Sequence, residues 1–388
     1  MARDAVVIVG AGAAGLAAAG ALKQRGITSL LLEQDAAIGG TWARRYDRLH
    51  LHTIRALSGL PGLALPQGVS KYPSRDEYVA YLREYARHFA LDVRTNFPVR
   101  RIGSRTEPST GRVEWHVTGS AGEVAAPVVV VAIGQYRVPR IPSWPGREDF
   151  RGELIHSVDY RNAAPFAGKR VLVVGAGNSG AEIATDLIEQ GAAFVALAVR
   201  TPPAIVPRDP FGRPVQRTGM LLSRLPVRIA DRLARLTARL VLGDLTRYGF
   251  PQAEWRPYSR VTVPVIDVGF VGMLKRGRAQ IRRELVRLTQ TDAIFADGRS
   301  EPFDAIVAAT GFGSGLDALL DDRSLIDESD EPRAHSGEPT ARPGLYFLGY
   351  THTLRGHLFE AGRDALTLAR NVERYLSAGA RSATASGH

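Results

Sequence analysis

Two copies of one glycine pattern are the residues whose types and spacing could do chemistry. The pattern Gly-x-Gly-x-x-Gly occurs as Gly10, Gly12 and Gly15 and again as Gly175, Gly177 and Gly180. The first glycine of such a loop allows a tight turn, the second lets the backbone approach a pyrophosphate, and the third packs a helix against a strand. The following helix N-terminus offers free N–H groups to phosphates. The chain is therefore predicted to bind two dinucleotides.

An acidic residue follows the first loop at the distance that a ribose contact requires. A carboxylate about 20 residues after the loop can bind the two ribose hydroxyls of an adenosine, as in FAD or NAD. Glu33 stands at that distance and ends the predicted strand SLLLE. We assign this first site to FAD.

A basic residue takes the same place after the second loop. Arg200 ends the predicted strand FVALAV. A guanidinium there can pair with a 2′-phosphate, which distinguishes NADP from NAD. The second site is therefore assigned to NADPH.

The elements that must position these loops repeat as well. Each loop follows a short β-branched strand and precedes an alanine-rich segment, predicted to be helical over Leu16–Arg25 and Ala181–Gln190. Two buried runs, VVVVAIG and FDAIVAATGF, resemble each other and indicate two crossings between domains. The proline-rich stretch Val138–Pro145 suits a stiff linker.

These observations predict an α/β fold with two dinucleotide-binding, Rossmann-like domains. We expect the NADPH domain to be inserted into the FAD domain. The FAD domain then covers residues 1–145 and 302–388, and the NADPH domain covers residues 146–301.

The composition excludes several functions. The chain has 388 residues and no cysteine. Disulfide reductases that use two nucleotides need a redox-active thiol pair, so that chemistry is excluded, as are disulfides and thiolate metal sites. The histidines show no HExxH or comparable spacing, and no metal site is predicted.

The charge of the chain does not indicate nucleic-acid binding. The net charge is +11, but the 50 basic residues are mostly arginines scattered through every segment. The apolar N-terminal stretch 5–22 contains the glycine loop, which favours a strand-turn-helix over a signal peptide or membrane span. We expect a cytoplasmic protein without nucleic-acid binding or integral membrane association.

One predicted helix is both apolar and strongly basic. Its leucine-type residues are Leu225, Ile229, Leu233, Leu236 and Leu240, and its arginines are Arg224, Arg228, Arg232, Arg235 and Arg239. Such a helix can lie on a membrane surface. We favour the alternative, in which the apolar face packs on the domain and the arginines face solvent.

A further motif lies directly before the second loop. Phe150, Gly152, His156 and Tyr160 form the pattern F-x-G-x-x-x-H-x-x-x-Y. With this motif the chain resembles the class B flavin-containing monooxygenases, most of all the plant YUCCA-type enzymes, over nearly its whole length. The stretches GGTW, GNSG, PVIDVG and AATGF are similar to the YUCCA pattern too.

The resemblance implies which residues contact the cofactors. For FAD these are Gly10, Gly12, Gly15, Glu33, Thr41 and Trp42, and for NADPH they are Gly175, Gly177, Asn178, Ser179 and Arg200. Further cofactor-binding candidates are Ala14, Gln34, Gly40, His52, Thr53, Val99, Gly134, Gln135, Gly180, Gly311, Phe312 and Gly349. Thr53 is the nearest match to an asparagine that many animal and bacterial members place beside the flavin.

The resemblance also implies a reaction. NADPH reduces the flavin, dioxygen adds at flavin C4a, and the resulting hydroperoxide transfers one oxygen atom to a small organic substrate. The protein excludes water, and no catalytic side chain is expected. The reaction is either oxidative decarboxylation of an α-keto acid such as indole-3-pyruvate or oxygenation of nitrogen or sulfur.

Two other functions stay open at this point. One is a flavin-dependent NADPH electron-transfer reductase for a ferredoxin or quinone, and the other is a redox sensor without turnover. The expected partners are a small-molecule substrate and dioxygen, and a homodimer is left open. The substrate cavity is expected to be lined by Ser58–Lys71 and Pro202–Tyr258.

Overall fold

The computed structural model describes residues 5–106, 113–252, 256–259 and 263–385, with side chains up to residue 378. In these ranges the strands are β1 (Val6–Val9), β2 (Ser29–Leu32), β3 (Asp92–Arg94), β4 (Val99–Thr106), β5 (Val113–Gly119), β6 (Gly122–Ala126), β7 (Val128–Val131), β8 (Val138–Pro139), β9 (Glu153–His156), β10 (Arg170–Val174), β11 (Phe194–Ala198), β12 (Ile205–Pro207), β13 (Val265–Asp267), β14 (Gln280–Arg282), β15 (Leu285–Leu288), β16 (Asp292–Phe295), β17 (Ser300–Pro302), β18 (Ala305–Ala308), β19 (Phe312–Gly313) and β20 (Leu345–Phe347). The helices are α1 (Ala13–Lys23), α2 (Gly40–Ala43), α3 (Arg75–His88), α4 (Asn178–Glu189), α5 (Val215–Leu222), α6 (Val227–Leu242), α7 (Phe270–Lys275) and α8 (His357–Ala385).

The first glycine loop belongs to a five-stranded parallel sheet with the order β20-β7-β1-β2-β3. Helices α1, α3 and α8 cover one face of this sheet. The antiparallel sheet β4-β5-β6 packs against the other face. Because both faces are covered, strands β1 and β7 are apolar throughout, as parallel strands require.

The second loop belongs to a second parallel sheet with the order β14-β11-β10-β18-β9. Helices α4 and α7 cover one face, and the hairpin β15-β16 packs on the other. The second sheet thus repeats the layering of the first sheet around its own glycine loop. The predicted fold class, two Rossmann-like units of α/β type, is confirmed.

The two crossings between the sheets lie side by side. Strand β8, inside the predicted linker, pairs in antiparallel register with β19. The expected limit at residue 302 needs correction, because strand β18 begins after it and hydrogen-bonds to β9 and β10 of the second sheet. The chain rejoins the first sheet only at β20. A short buried strand carries no local signal of which sheet it joins.

Helix α6 faces the protein with Ala230, Asp231 and Leu242 instead of its predicted leucine stripe. Ala230 is buried, whereas Leu233, Leu236 and Leu240 are exposed. The expectation that the apolar face packs on the domain is therefore wrong for this helix. Across the described ranges, no helix is both long and apolar enough to cross a bilayer.

Candidate cofactor and substrate site

The carboxyl ends of both parallel sheets face one cleft, which is where open α/β sheets bind ligands. Most of the predicted cofactor-binding residues line it, namely Gly10, Gly12, Ala14, Glu33, Gln34, Gly40, Thr41, Trp42, His52, Thr53, Val99, Gly134, Gln135, Gly177, Asn178, Ser179, Gly311, Phe312 and Gly349. Four others, Gly15, Gly175, Gly180 and Arg200, are not among the residues that line it.

The first glycine loop has three distinct local environments. Gly10 has a φ of +103°, a conformation that side chains disfavour. A Cβ atom on Gly15 would lie 1.9 Å from the Gly10 carbonyl oxygen. A Cβ atom on Gly12 would meet no atom within 4 Å. Gly10 and Gly15 therefore shape the turn, and Gly12 leaves open space at the cleft where a pyrophosphate fits.

The second loop repeats this geometry. Gly175 has a φ of +110°, and a Cβ atom on Gly180 would lie 1.9 Å from the Gly175 oxygen. A Cβ atom on Gly177 would again meet nothing within 4 Å. Gly175 and Gly180 therefore shape the second turn, although neither lines the cleft.

Glu33 lies where a ribose-binding carboxylate is needed. It directly follows β2 and is only 7% exposed. One carboxylate oxygen accepts a hydrogen bond from the Ala11 N–H at 2.8 Å, and the other accepts one from the Asp35 N–H at 2.9 Å. Burial raises the pKa of this carboxyl group. Each oxygen can accept further hydrogen bonds, so the residue fits two ribose hydroxyls.

A buried donor at the cleft wall also fits a cofactor. The side-chain Nε2 of Gln135 is buried and has no hydrogen-bond partner among the described residues. Such a group is costly unless a ligand or water pairs with it. Trp42, on the short helix α2, also lines the cleft, and its ring meets Tyr78 edge-on at 5.1 Å.

His156 of the F-x-G-x-x-x-H-x-x-x-Y motif hydrogen-bonds to Gly311, which lies in the second crossing between β18 and β19. It ends β9 and is 1% exposed. Its Nδ1 accepts a hydrogen bond from the Val158 N–H at 3.2 Å, so its Nε2 carries the proton and donates to the Gly311 carbonyl at 3.1 Å. Phe312 meets the imidazole ring edge-on at 4.8 Å. The motif thus positions Gly311 and Phe312 at the cleft.

The rest of the motif is structural as well. A Cβ atom on Gly152 would lie 2.5 Å from the Phe150 ring and 2.7 Å from the Asp304 carbonyl oxygen. The buried Tyr160 hydroxyl donates to Asp186 on α4 at 2.7 Å. The motif therefore holds β9 and α4 in place next to the second loop.

Three histidines, of which His156 is buried and His352 and His357 are half-buried at the cleft, should make the fold sensitive to acid. Burial lowers the pKa of His156, His352 and His357. The folded state then binds fewer protons than the unfolded chain, whose histidines titrate near about pH 6.5. Their contribution to stability is present above that pH and is lost as the pH falls through the lowered values.

We expect His156→Gln to weaken this acid sensitivity, because a glutamine amide can still donate to Gly311 but cannot be protonated. The measurement is the melting temperature at pH 7.5 and 5.5 for both proteins. The decrease between the two pH values should be smaller in the variant. An equal decrease would show that His156 does not contribute to acid sensitivity.

The structure gives Asn178 a role that the resemblance did not imply. Its side-chain amide donates to the Pro264 carbonyl at 3.1 Å and accepts from the Ile266 N–H at 2.8 Å. These two bonds fasten strand β13 to the start of α4. The side chain is therefore engaged in holding the loop, while the residue still lines the cleft.

A part-buried contact joins the two halves of the site. His52 Nε2 lies 2.6 Å from the Glu182 Oε1, and Glu182 is 4% exposed on α4. Tyr46 bonds to the same carboxylate, and burial raises the pKa of its phenol well above its ordinary value. Glu182 and Tyr46 were missed in the sequence because neither belongs to a motif.

A hydrogen bond to Ser58 orients the Thr53 hydroxyl. The Ser58 hydroxyl donates to the Ile54 carbonyl at 3.0 Å, so the Thr53 hydroxyl must be the donor in its 2.6 Å bond to Ser58. The Thr53 oxygen is left as an acceptor only. It therefore cannot replace the donor function of an asparagine amide while this bond is intact.

The cavity beyond the loops differs from the expected one. No residue of Ser58–Lys71 lines it, whereas α5 and α6 within Pro202–Tyr258 do. The segment after β20, including Thr351, His352 and His357, contributes another wall that we did not predict. Its position after a parallel strand next to β7 was the available signal, since such strand ends bind ligands.

Arg200 lies on the surface after β11. It makes no ion pair with the residues that the structure describes. An exposed guanidinium at the end of this strand is compatible with a 2′-phosphate contact.

Comparisons with known proteins agree with this architecture. Residues 7–206 match the family described as pyridine nucleotide-disulphide oxidoreductase. Indole-3-pyruvate monooxygenase YUCCA1 of Oryza sativa subsp. japonica is 36% identical over 379 residues, covering 94% of this chain and 90% of the rice protein. YUCCA6 of Arabidopsis thaliana, also named an indole-3-pyruvate monooxygenase, is 35% identical over 386 residues, covering 95% and 90%.

Solved structures share the fold. The flavin-containing monooxygenase from Stenotrophomonas maltophilia is 26% identical with a TM-score of 0.73, over 97% of this chain and 100% of that chain. A cyclohexanone monooxygenase, 19% identical with a TM-score of 0.75 over 96% and 88%, supports the fold alone. Because this chain has no cysteine, it shares the two-nucleotide architecture of its wider family without a redox thiol pair. The chain belongs to the class B flavin-containing monooxygenases, FAD- and NADPH-dependent members of the pyridine nucleotide-disulphide oxidoreductase family.

Proposed function

We propose that this flavin monooxygenase oxidatively decarboxylates an α-keto acid of the indole-3-pyruvate class. The observation that carries the proposal is the likeness to plant enzymes named for that substrate, which extends over nearly the whole chain. Bound FAD and NADPH would supply the reducing equivalents and the activation of dioxygen. The chain's own residues bind the two cofactors, align them and exclude water.

The cleft wall supports an aromatic substrate. Beyond the glycine loops it carries the apolar side chains Leu222, Ala234, Tyr258, Leu354 and Leu358. A wall that is predominantly apolar is typical of sites for small organic molecules. It also keeps bulk water from a reactive cofactor, which the chemistry requires.

Product analysis tests the substrate proposal. The holoenzyme is incubated with NADPH, dioxygen and indole-3-pyruvate, beside phenylpyruvate and a panel of tertiary amines and thioethers. We expect the decarboxylated acid from the keto acids, in amounts that follow NADPH consumption. Oxygenated amines or sulfides without any decarboxylated product would contradict the proposed substrate class, while reduction of added ferredoxin or quinone alone would favour the electron-transfer reductase.

We propose that Arg200 binds the 2′-phosphate of NADPH. Its removal should lower the preference for NADPH over NADH in kcat/KM by about ten- to a hundredfold, since a hydrogen bond to a charged group contributes about 1.5–3 kcal/mol. The variants are Arg200→Ala and, as a control, Arg299→Ala, an exposed arginine in the β16-β17 turn. An unchanged preference in Arg200→Ala would show that this guanidinium does not contact the phosphate.

The remaining cofactor assignments rest on the same cleft. We propose that Gly10, Gly12, Glu33, Thr41 and Trp42 contact FAD, and that the second loop contacts NADPH. The cytoplasmic location stays a prediction, and the homodimer stays open. Cell fractionation and sedimentation of the purified protein test them.

A further inference from the structure

The chain presents an apolar ridge on its surface. Seven of the fourteen exposed large apolar side chains of the described residues lie between 221 and 240. They are Leu221, Leu225, Val227, Ile229, Leu233, Leu236 and Leu240, each between 39% and 68% exposed. Exposed apolar side chains that cluster in this way mark an interaction site, whereas scattered ones are ordinary.

The buried residues of α6 determine that the ridge faces away from the protein. Asp231 is 4% exposed, and its carboxylate accepts hydrogen bonds from the Tyr258 N–H at 2.8 Å and from the Ser259 hydroxyl. Ala230 and Leu242 are buried on the same side of the helix. Turning the leucines inward would break the buried carboxylate contacts, so their exposure is a property of the packed helix.

A stripe of arginines runs beside the ridge. Arg228, Arg232, Arg235 and Arg239 recur at helical spacing on α6, and Arg224 precedes the helix. All five are exposed. At 100° per residue the arginine stripe lies about a quarter turn around α6 from the leucines of the apolar ridge. The only acidic residue from Val215 to Leu242 is the buried Asp231, so this surface is apolar and cationic together.

The combination of apolar and cationic side chains indicates which kind of partner this surface binds. A second copy of this chain would bring a like-charged surface of a protein with a net charge of +11 against the ridge. A bilayer with anionic lipids suits both the ridge and the arginine stripe. The leucines enter the acyl boundary, and the arginines contact lipid phosphates. We propose that the ridge and the arginine stripe dock the enzyme on the surface of an anionic membrane.

This docking would place the cleft close to the bilayer. Other residues of the same two helices line the cleft, namely Thr218, Gly219 and Leu222 of α5 and Ala234 and Thr237 of α6. One layer of helices therefore separates the cleft from the docking surface. The proposal goes beyond the proposed substrate and does not depend on it.

The test is co-sedimentation of the FAD-loaded full chain with sucrose-filled vesicles. The vesicles are pure phosphatidylcholine or phosphatidylcholine with one-third phosphatidylglycerol, at low and high salt. We expect binding to the anionic vesicles that weakens with salt, and little binding to the neutral ones. The triple variant Arg228→Gln, Arg232→Gln and Arg239→Gln should weaken the binding by about a hundredfold, at about fivefold for each arginine.

Matched variants separate the ridge from general surface effects. Leu233→Gln, Leu236→Gln and Leu240→Gln together should weaken vesicle binding, whereas Leu366→Gln on α8, also exposed, should not. Arg363→Gln, Arg370→Gln and Arg374→Gln on α8 serve as the charge control. FAD content and melting temperature show that each variant is folded.

Three results would overturn the proposal. One is the absence of anionic vesicle binding by the wild-type chain, and another is binding that both α6 triple variants retain. The third is a dimer, seen by sedimentation, that the leucine variant dissociates without any vesicle binding, since a second copy would then cover the ridge.

Discussion

Replacing Gly12 by valine is expected to give a folded protein that has lost FAD. Gly12 has extended backbone angles, φ −79° and ψ −171°, which a valine readily adopts. Its Cβ atom would meet no protein atom within 4 Å. The valine would instead occupy the space that the pyrophosphate needs at the start of α1. We expect FAD affinity to fall by at least about a hundredfold, or about 2.7 kcal/mol.

The matched control is Gly15→Val in the same loop. Its Cβ atom would lie 1.9 Å from the Gly10 carbonyl oxygen, so the clash is with the protein's own backbone. That variant should lose the fold, whereas Gly12→Val should keep its circular dichroism spectrum and sedimentation profile. Flavin absorbance per protein measures the loss. Full FAD content in Gly12→Val would contradict the placement of FAD at the first loop.

The same substitution in the second loop should have a different result. Gly177 is also extended, with φ −74° and ψ −177°, and also faces open space. We expect Gly177→Val to purify with its full FAD content. Its reduction by NADPH should slow by at least about a hundredfold at low NADPH, or about 2.7 kcal/mol.

Dithionite separates a binding defect from a damaged flavin site. It reduces flavin without a nucleotide, so Gly177→Val should be reduced by dithionite as the wild type is. Slow reduction by NADPH with normal reduction by dithionite assigns the second loop to NADPH. Reduction by NADPH at the wild-type rate would show that the nucleotide binds elsewhere.

The sequence alone predicted the features that rest on local signals. The paired glycine loops, the strand-turn-helix context and the carboxylate of Glu33 are each determined within a few residues of the chain. Their geometry repeats in the structure, down to the open space at Gly12 and Gly177. Two sheets and two crossings could be predicted because each crossing follows an apolar strand and a glycine.

Other features depend on contacts that are distant in the chain. Strand β18 looks the same in sequence whichever sheet it joins, which explains the error in the limit at 302. The direction of α6 depends on the buried Asp231, whose partners Tyr258 and Ser259 follow about 27 residues later. The contact between His52 and Glu182 joins residues that are 130 positions apart in the sequence. No periodicity within one segment could have predicted these contacts.

We expect one atom of dioxygen to enter the substrate at the expense of NADPH. The most direct test supplies ¹⁸O₂ with NADPH and indole-3-pyruvate and measures NADPH, dioxygen, carbon dioxide and the product acid together. We expect equal amounts of all four, one ¹⁸O atom in the new carboxylate and the other in water. Unlabelled product, or NADPH oxidation with all dioxygen recovered as hydrogen peroxide, would contradict it.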